Sequence, residues 1–334
     1  VKDFETFLQL VNLYMTQPRK DESLLKAYVN NVKGYLPFLK QDPQTFFDDT
    51  LQKIIYNNSP WITSIPTAED LDKLNADRGL EIYNSIFGNA NGMHFTFVGN
   101  IDVEQARPLF EKYLGSLPST GEKVTFKDNG IRPVRGIWNA NIKRGKEEQS
   151  MINIMWSGET EYNREERMAL KALLEVLNIK IIEKLREEIG GMYSGGMGGD
   201  IKKRPYTHYD IYAYVPCGPE NVEKLTEALF ALIKDAQEGK IDQKDLDKVK
   251  ETWKKKYNEQ LKENNYWLNV LSQAFIDEYN PEGVLNYEAR VNELTIQDLQ
   301  KAAKKFLDMN NYIRAVLYPE NANVEAGVQQ KKTF

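Results

Sequence analysis

Two histidines, His94 and His208, and one cysteine, Cys217, are all the imidazole and thiol in this 334-residue chain. Hydrolytic zinc needs neutral imidazoles and carboxylates converging on the metal, usually from a helix on which residues i and i+4 share a face. Neither histidine has a second His and a Glu at that spacing. His94 opens a strand-like run and His208 lies within one, so both read as ordinary strand histidines. His208 and Asp210 would share one strand face, a weak pairing by itself. A single Cys forms no internal disulfide and no Cys-based zinc site. No Ser or Cys sits in a nucleophile elbow. The glycine-rich run 190–199 (GGMYSGGMGG) lacks the Lys-Ser/Thr ending of a phosphate loop and follows a helix instead of opening one.

The constellation that could carry chemistry is Leu185-Arg186-Glu187-Glu188-Ile189-Gly190-Gly191-Met192-Tyr193-Ser194. Arg186 falls in the last turn of a long helix, where a cation suits the helix dipole. Tyr193 follows past a diglycine turn. That spacing can bring a guanidinium and a phenol to one place, where they would hydrogen-bond a peptide carbonyl and stabilise a developing oxyanion. On spacing alone, a surface arginine and a half-buried tyrosine flanking a helix cap is the plainer reading.

The elements that would position them follow from periodicity. Residues 4–15, 21–40, 43–56 and 102–114 read as helices, with Pro43 at a helix start, and 68–87 as a helical pair punctuated by Gly79. HFTFV (94–98) reads as a short strand. Further on, 134–143 alternates, and 149–156 reads as a strand. A long helix over 162–188 carries Met168, Leu173, Leu174, Leu177, Ile181, Ile182 and Leu185 at helical spacing, ended by Gly190-Gly191. THYDIYAYV (207–215) reads as a strand, helices run over 219–238, 242–264, 266–278 and 295–307, and YIRAVLY (312–318) closes the set. The Tyr-rich strand 207–215 suggests addition of an extended peptide at a sheet edge, although sheet packing accounts for most of its tyrosines.

Hydrophobic residues make up 41% and charged residues 28%, as in globular proteins, and the length allows one large domain or two ordinary ones. A net charge of −5 gives no support to a nucleic-acid binder. No apolar run approaches the ~20 residues that span a bilayer. The chain begins without Met or a signal peptide, as though cut from something longer. Its compartment is therefore undetermined, with a periplasmic or other non-cytosolic one left open. Residues 119–133, polar and bearing Pro and Gly, are the expected linker.

Leu80, Tyr83 and Phe87 followed by a strand from His94 match Leu299, Ala302 and Phe306 followed by a strand from Tyr312. Upstream, 21–57 resembles 242–280, an offset of roughly 220 residues. Any two helical stretches can be aligned this way. A true repeat would make 1–118 the back part of an α+β domain whose sheet strands lie elsewhere, 134–320 a complete domain, and 321–334 a tail.

Arg186, Glu187, Gly190, Tyr193 and Ser194 resemble the R-E-x-x-G-x-x-Y-S stretch in the C-terminal half of pitrilysin/insulinase-family zinc metallopeptidases. Phe97-Val98-Gly99-Asn100 with Tyr113-Leu114-Gly115-Ser116-Leu117-Pro118 is similar to that family's domain ending, and Val215-Pro216-Cys217-Gly218-Pro219-Glu220 to a strand-to-helix junction. The resemblance spans roughly 4–318. It implies an α+β fold, a mostly antiparallel sheet backed by helices in metalloprotease-like (LuxS-like) repeat units, with one complete unit preceded by a helical half-unit. It implies two halves closing on a peptide or unfolded protein. The zinc and its H-x-x-E-H motif would lie in an N-terminal catalytic half, and this chain would supply a cleft wall with Arg186 and Tyr193 supporting substrate and oxyanion. A non-catalytic homologue paired with a zinc-bearing subunit, or a scaffold, remains the alternative.

The histidine and cysteine inventory leads to an expected outcome. The dialysed 334-residue chain should hold no stoichiometric zinc by elemental analysis and should not cleave a fluorogenic peptide; chelator-sensitive cleavage would contradict this.

Overall fold

In the computed structural model, which describes residues 3–62, 65–123 and 125–331, several helices begin where the sequence supplies caps. The chain opens with α1 (Phe4–Thr16), α2 (Glu22–Gln41), α3 (Pro43–Ile55), α4 (Ala68–Asp72), α5 (Ala76–Phe87) and α6 (Val103–Tyr113). Next come β1 (Ile137–Lys143), β2 (Ser150–Glu159), α7 (Arg164–Ile181) with a π-helical turn over Ile182–Glu188, β3 (Gly196–Lys202) and β4 (His208–Cys217). The remainder is α8 (Val222–Gln237), α9 (Gln243–Gln260), α10 (Asn264–Asp277), α11 (Tyr287–Glu293), α12 (Ile296–Phe306), β5 (Tyr312–Tyr318) and β6 (Gly327–Lys331). Asp42 accepts the Thr45 amide at 2.8 Å ahead of α3, and Asn163 accepts the Glu166 amide at 2.9 Å ahead of α7. Thr67 with Asp70 and Thr295 with Asp298 form reciprocal capping boxes. Each cap satisfies amides that a helix start would otherwise leave unpaired.

The chain divides into two compact units that interleave along the sequence. The first takes 1–37, 66–127 and 258–284, and the second takes 38–65, 128–257 and 285–334. This partition differs from a division into 1–118 and 134–320, because 38–65 belongs with the sheet and 258–284 with the N-terminal helices. Val124 of the expected linker and residues 332–334 of the expected tail lie outside the described residues.

The second unit is a six-stranded sheet in the order β3-β4-β2-β5-β1-β6. Only β1 with β5 is parallel; every other neighbouring pair is antiparallel. The chain is thus a mixed α+β fold whose mainly antiparallel sheet is backed by helices. Alternation along the strands gives two apolar faces. Ile152, Ile154 and Trp156 of β2 and Ile211, Ala213 and Val215 of β4 pack under α7, α8 and α12. On the opposite face Ile313, Ala315 and Leu317 of β5 and Ala140 and Ile142 of β1 pack against Phe47, Leu51 and Ile55 of α3. A backbone bond from Val134 to the Ile55 carbonyl, 2.8 Å, ties the end of α3 to the lead-in of β1. The expected tail contributes an edge strand instead: β6 pairs with β1.

The first unit is thinly cored. Phe4, Phe97 and Phe110 cluster edge-to-face and tilted, and Leu8 is fully buried. However, α5 buries no residue, and its Ile82, Ile86 and Phe87 are exposed, as are Phe7, Leu10 and Leu13 of α1. The break in the expected helical pair falls over Lys73–Asn75, and Gly79 lies inside α5. The expected strand at 94–98 is not one: it makes no ladder with any described segment. Strand propensity without a neighbouring strand leaves the backbone polar groups unpaired, so no sheet forms.

The two units set up a mutational contrast. Phe47→Ala should lower stability by about 3–5 kcal/mol, the usual loss for a buried phenylalanine. Ile86→Ser, on the exposed face of α5, should change it by less than about 1 kcal/mol. Urea unfolding followed by tryptophan fluorescence checks both. Equal losses would contradict the exposed state of α5.

Candidate functional site

α7 is amphipathic, and its buried stripe (Leu170, Leu173, Leu177, Ile181) continues into Leu185 of the π turn. The Ile189 amide bonds back to Lys184 at 3.1 Å. That i−5 spacing widens the turn, a feature that recurs at functional sites. With Leu185 anchored inward, Arg186, Glu187 and Glu188 face solvent. Lys180 braces the turn from its start. It pairs with Glu183 at 2.9 Å and with Asp245 at 2.8 Å. Hydrogen bonds to Asp245 first and then Glu183 raise its pKa above the ordinary range.

The chain then reverses through Gly190, whose φ of 71° is cheap only for glycine. Met192 is buried and bridges to Cys217 at the end of β4. Burial pushes the Cys217 thiol up to about 12, so this cysteine is packing, not a nucleophile. Tyr193 is the next residue and is 73% exposed. The loop closes at Gly195, where a Cβ would lie 2.1 Å from the Tyr214 carbonyl oxygen. Arg186 and Tyr193 therefore both sit on the surface of the second unit, on either side of a turn fixed at Leu185 and Met192. Neither hydrogen-bonds a described residue, so both side chains are free to meet a ligand.

At the adjacent edge of the sheet, the outer backbone groups of Met197 are paired from within. The Asn178 side chain of α7 donates to the Met197 carbonyl at 2.9 Å and accepts the Met197 amide at 2.6 Å. An amide side chain thus takes the place of a neighbouring strand, and leaving those groups unpaired would cost about 1–3 kcal/mol each. Asp200 accepts the Ile201 amide at 2.8 Å and a bidentate Arg167 at 2.6 Å. Burial opposes the ionised Asp200, but Arg167 and Lys171 outweigh it and its pKa falls. β4 is an inner strand between β3 and β2. Peptide addition along 207–215, expected from its sequence, is therefore ruled out by pairing on both sides. Of its tyrosines, Tyr209 is in the core, whereas Tyr212 and Tyr214 stand exposed on the open face.

The histidines lie in different units. His94 stacks on Phe275 at 4.5 Å. His208 places Nδ1 2.7 Å from the Tyr206 carbonyl oxygen. Among the described residues no three His, Cys, Asp or Glu side chains gather to hold a metal ion, so the residues present do not fit a zinc centre. Asn178, Asp200 and Arg167 were not legible as a group, because one amide and one ion pair spaced across a helix and a strand leave no local pattern. The GGMGGD run is a strand with glycines that close approach demands. At Gly196 a Cβ would meet Asn178 at 2.6 Å, and at Gly199 the Asp210 carbonyl oxygen at 2.5 Å.

A family model described as the peptidase M16 inactive domain matches residues 73–252, more than half of the chain. Among curated proteins, the chain is 26% identical over 289 residues to a zinc protease PQQL-like protein of Arabidopsis thaliana, covering 82% of this chain and 30% of that protein. Among solved structures, it is similar to the periplasmic protease PqqL from Escherichia coli, with a TM-score of 0.81 and 19% identity over 94% of this chain and 35% of that one. It is also similar to a peptidase M16 inactive domain from Pseudomonas fluorescens, with a TM-score of 0.75 and 15% identity over 98% of this chain and 77% of that one. The chain spans about a third of the length of the full-length relatives it matches. It belongs to the peptidase M16 (pitrilysin/insulinase) family, and to the part of that family that is catalytically inactive.

Proposed function

We propose that this chain is part of the C-terminal, non-catalytic half of a zinc metalloendopeptidase. In this reading it forms one wall of a substrate cleft, and zinc is held in a catalytic half outside this sequence. That half would be an N-terminal segment of the same polypeptide or a separate zinc-bearing subunit. The substrates are peptides or unfolded protein. A non-cytosolic compartment fits the periplasmic setting named for the Escherichia coli relative.

The observation that carries this reading is the pair of exposed, unpartnered side chains Arg186 and Tyr193 on one braced turn. A guanidinium offers several N–H donors and a phenol one O–H, and both suit a peptide carbonyl. When that carbonyl becomes tetrahedral, negative charge develops on its oxygen, and prepositioned donors stabilise the charge more than the ground state. Neither group needs to gain or lose a proton for this. The exposed apolar faces of α1 and α5 fit a companion role for the first unit: the back of an α+β domain completed by strands outside this sequence. Exposed apolar helix faces of this kind mark an interaction face.

In the intact enzyme, Tyr193→Phe or Arg186→Ala should lower kcat by about 10²–10³, the usual effect of removing one oxyanion donor. Zinc content and the unfolding midpoint should stay unchanged. Near-normal kcat in both variants would contradict the proposed role.

A further inference from the structure

On the open face of the second unit, a cavity of about 480 Å³ lies between the end of α3 and strands β2 and β4. Leu51, Ile55 and Ile62 line one side and Met155 the other, and its polar end holds Lys202, His208 and Asp210. The arrangement of that end is unusual for a packing defect. Lys202 Nζ lies 2.8 Å from Asp210 Oδ1. Yet Oδ1 is a buried atom without a directed hydrogen bond, so the two are paired by charge and not by hydrogen-bond geometry. The side chain of Asp210 is 25% exposed and that of Lys202 is 53% exposed. The carboxylate is therefore the fixed charge, and the ammonium is the one that can leave for water at little cost.

His208 adds an acceptor beside the carboxylate. A carbonyl oxygen only accepts, so the 2.7 Å contact of His208 Nδ1 with Tyr206 O puts the neutral ring's proton on Nδ1. Nε2 is then an acceptor, 3.8 Å from Asp210 Oδ1. The ring is held there by stacking on Tyr206 at 4.4 Å, and Tyr206 is covered on its other side by the Arg132 guanidinium at 3.4 Å. Burial, and then the Asp210 carboxylate, push the Tyr56 phenol up, with Lys202 opposing.

We infer that this cavity binds the side chain of a lysine or arginine in an extended peptide. The aliphatic stem would lie on Leu51, Ile55 and Met155, and the cationic head would displace Lys202 from Asp210. A long side chain with an apolar stem and a charged tip matches apolar walls leading to a carboxylate. An anionic ligand would meet the fixed Asp210 charge. The ligand class rests on the proposed peptide-facing role of this unit, but the test reads binding alone.

Only two histidines are present, so ring signals of His208 are assigned by comparison with a His94→Gln variant. Blocked pentapeptides with lysine, norleucine or glutamate at the centre are titrated into the 334-residue chain and those signals followed by NMR. The lysine peptide should shift the His208 signals, and norleucine should bind at least about tenfold more weakly. Asp210→Asn should reduce lysine binding to the norleucine level, whereas Lys202→Met should tighten it by removing the competing ammonium. Tighter glutamate binding that Lys202→Met weakens would overturn the inference in favour of an anion pocket. Equal lysine and norleucine binding, or no His208 shift up to about 10 mM peptide, would also overturn it. Any of these failures leaves the Arg186 and Tyr193 reading intact, and normal turnover in those variants leaves the cavity intact.

Discussion

The second unit depends on one unusual contact, in which the side chain of Asn178 pairs with both backbone groups of Met197. It fastens the last turns of α7 to the sheet edge, and it holds only because Gly196 has no Cβ to occupy the space of the amide. Everything between Asn178 and Met197 is then a closed loop with fixed ends. Within it, Leu185 and Met192 point inward, and the chain has little choice but to present Arg186 and Tyr193 outward. The backbone positions of the two candidate groups are thus consequences of burial elsewhere.

The same sheet shows why one of its faces is half open. α7, α8 and α12 pack on one face over β2 and β4, and α3, from far upstream, packs on the β5 and β1 side of the other. Among the described residues, no helix of the second unit packs over this face of β4 and β3, so Tyr212 and Tyr214 stay exposed while their neighbours Ile211 and Ala213 are fully buried. Gly198 lies beneath the Tyr212 ring, where a Cβ would lie only 2.7 Å from its hydroxyl. The border between covered and open sheet is where the cavity with Asp210 opens.

Regular elements with strong periodicity were legible from the sequence. YIRAVLY was read as a strand over 312–318, and β5 spans those residues. The long helix was read from its apolar stripe, though not its change to a π turn, since i−4 and i−5 spacing share the same inward positions over so short a stretch. Elements set by distant partners were not legible. β3 hid in a glycine-rich run, because its glycines answer contacts with Asn178, Tyr212 and Asp210, not local turn chemistry. The strand pattern of HFTFV was present but its partner was not. The membership of α3 in the sheet unit depends on Phe47, Leu51 and Ile55 finding β1 and β5, and no local signal reports a partner about a hundred or more residues away. Arg186 and Tyr193 are singled out by spacing and by the family resemblance, but neither signal reports their exposure.

The central claim, that this inactive half meets the substrate directly, is tested most directly by photo-crosslinking. A benzophenone amino acid replaces Tyr193 in the full-length enzyme, zinc is removed to stop turnover, and a labelled peptide substrate is irradiated with it. A control carries the same group at Glu251 on α9. Strong crosslinking at position 193, competed by unlabelled peptide and absent at 251, is the predicted result. Labelling at 193 no greater than at 251 would contradict the account.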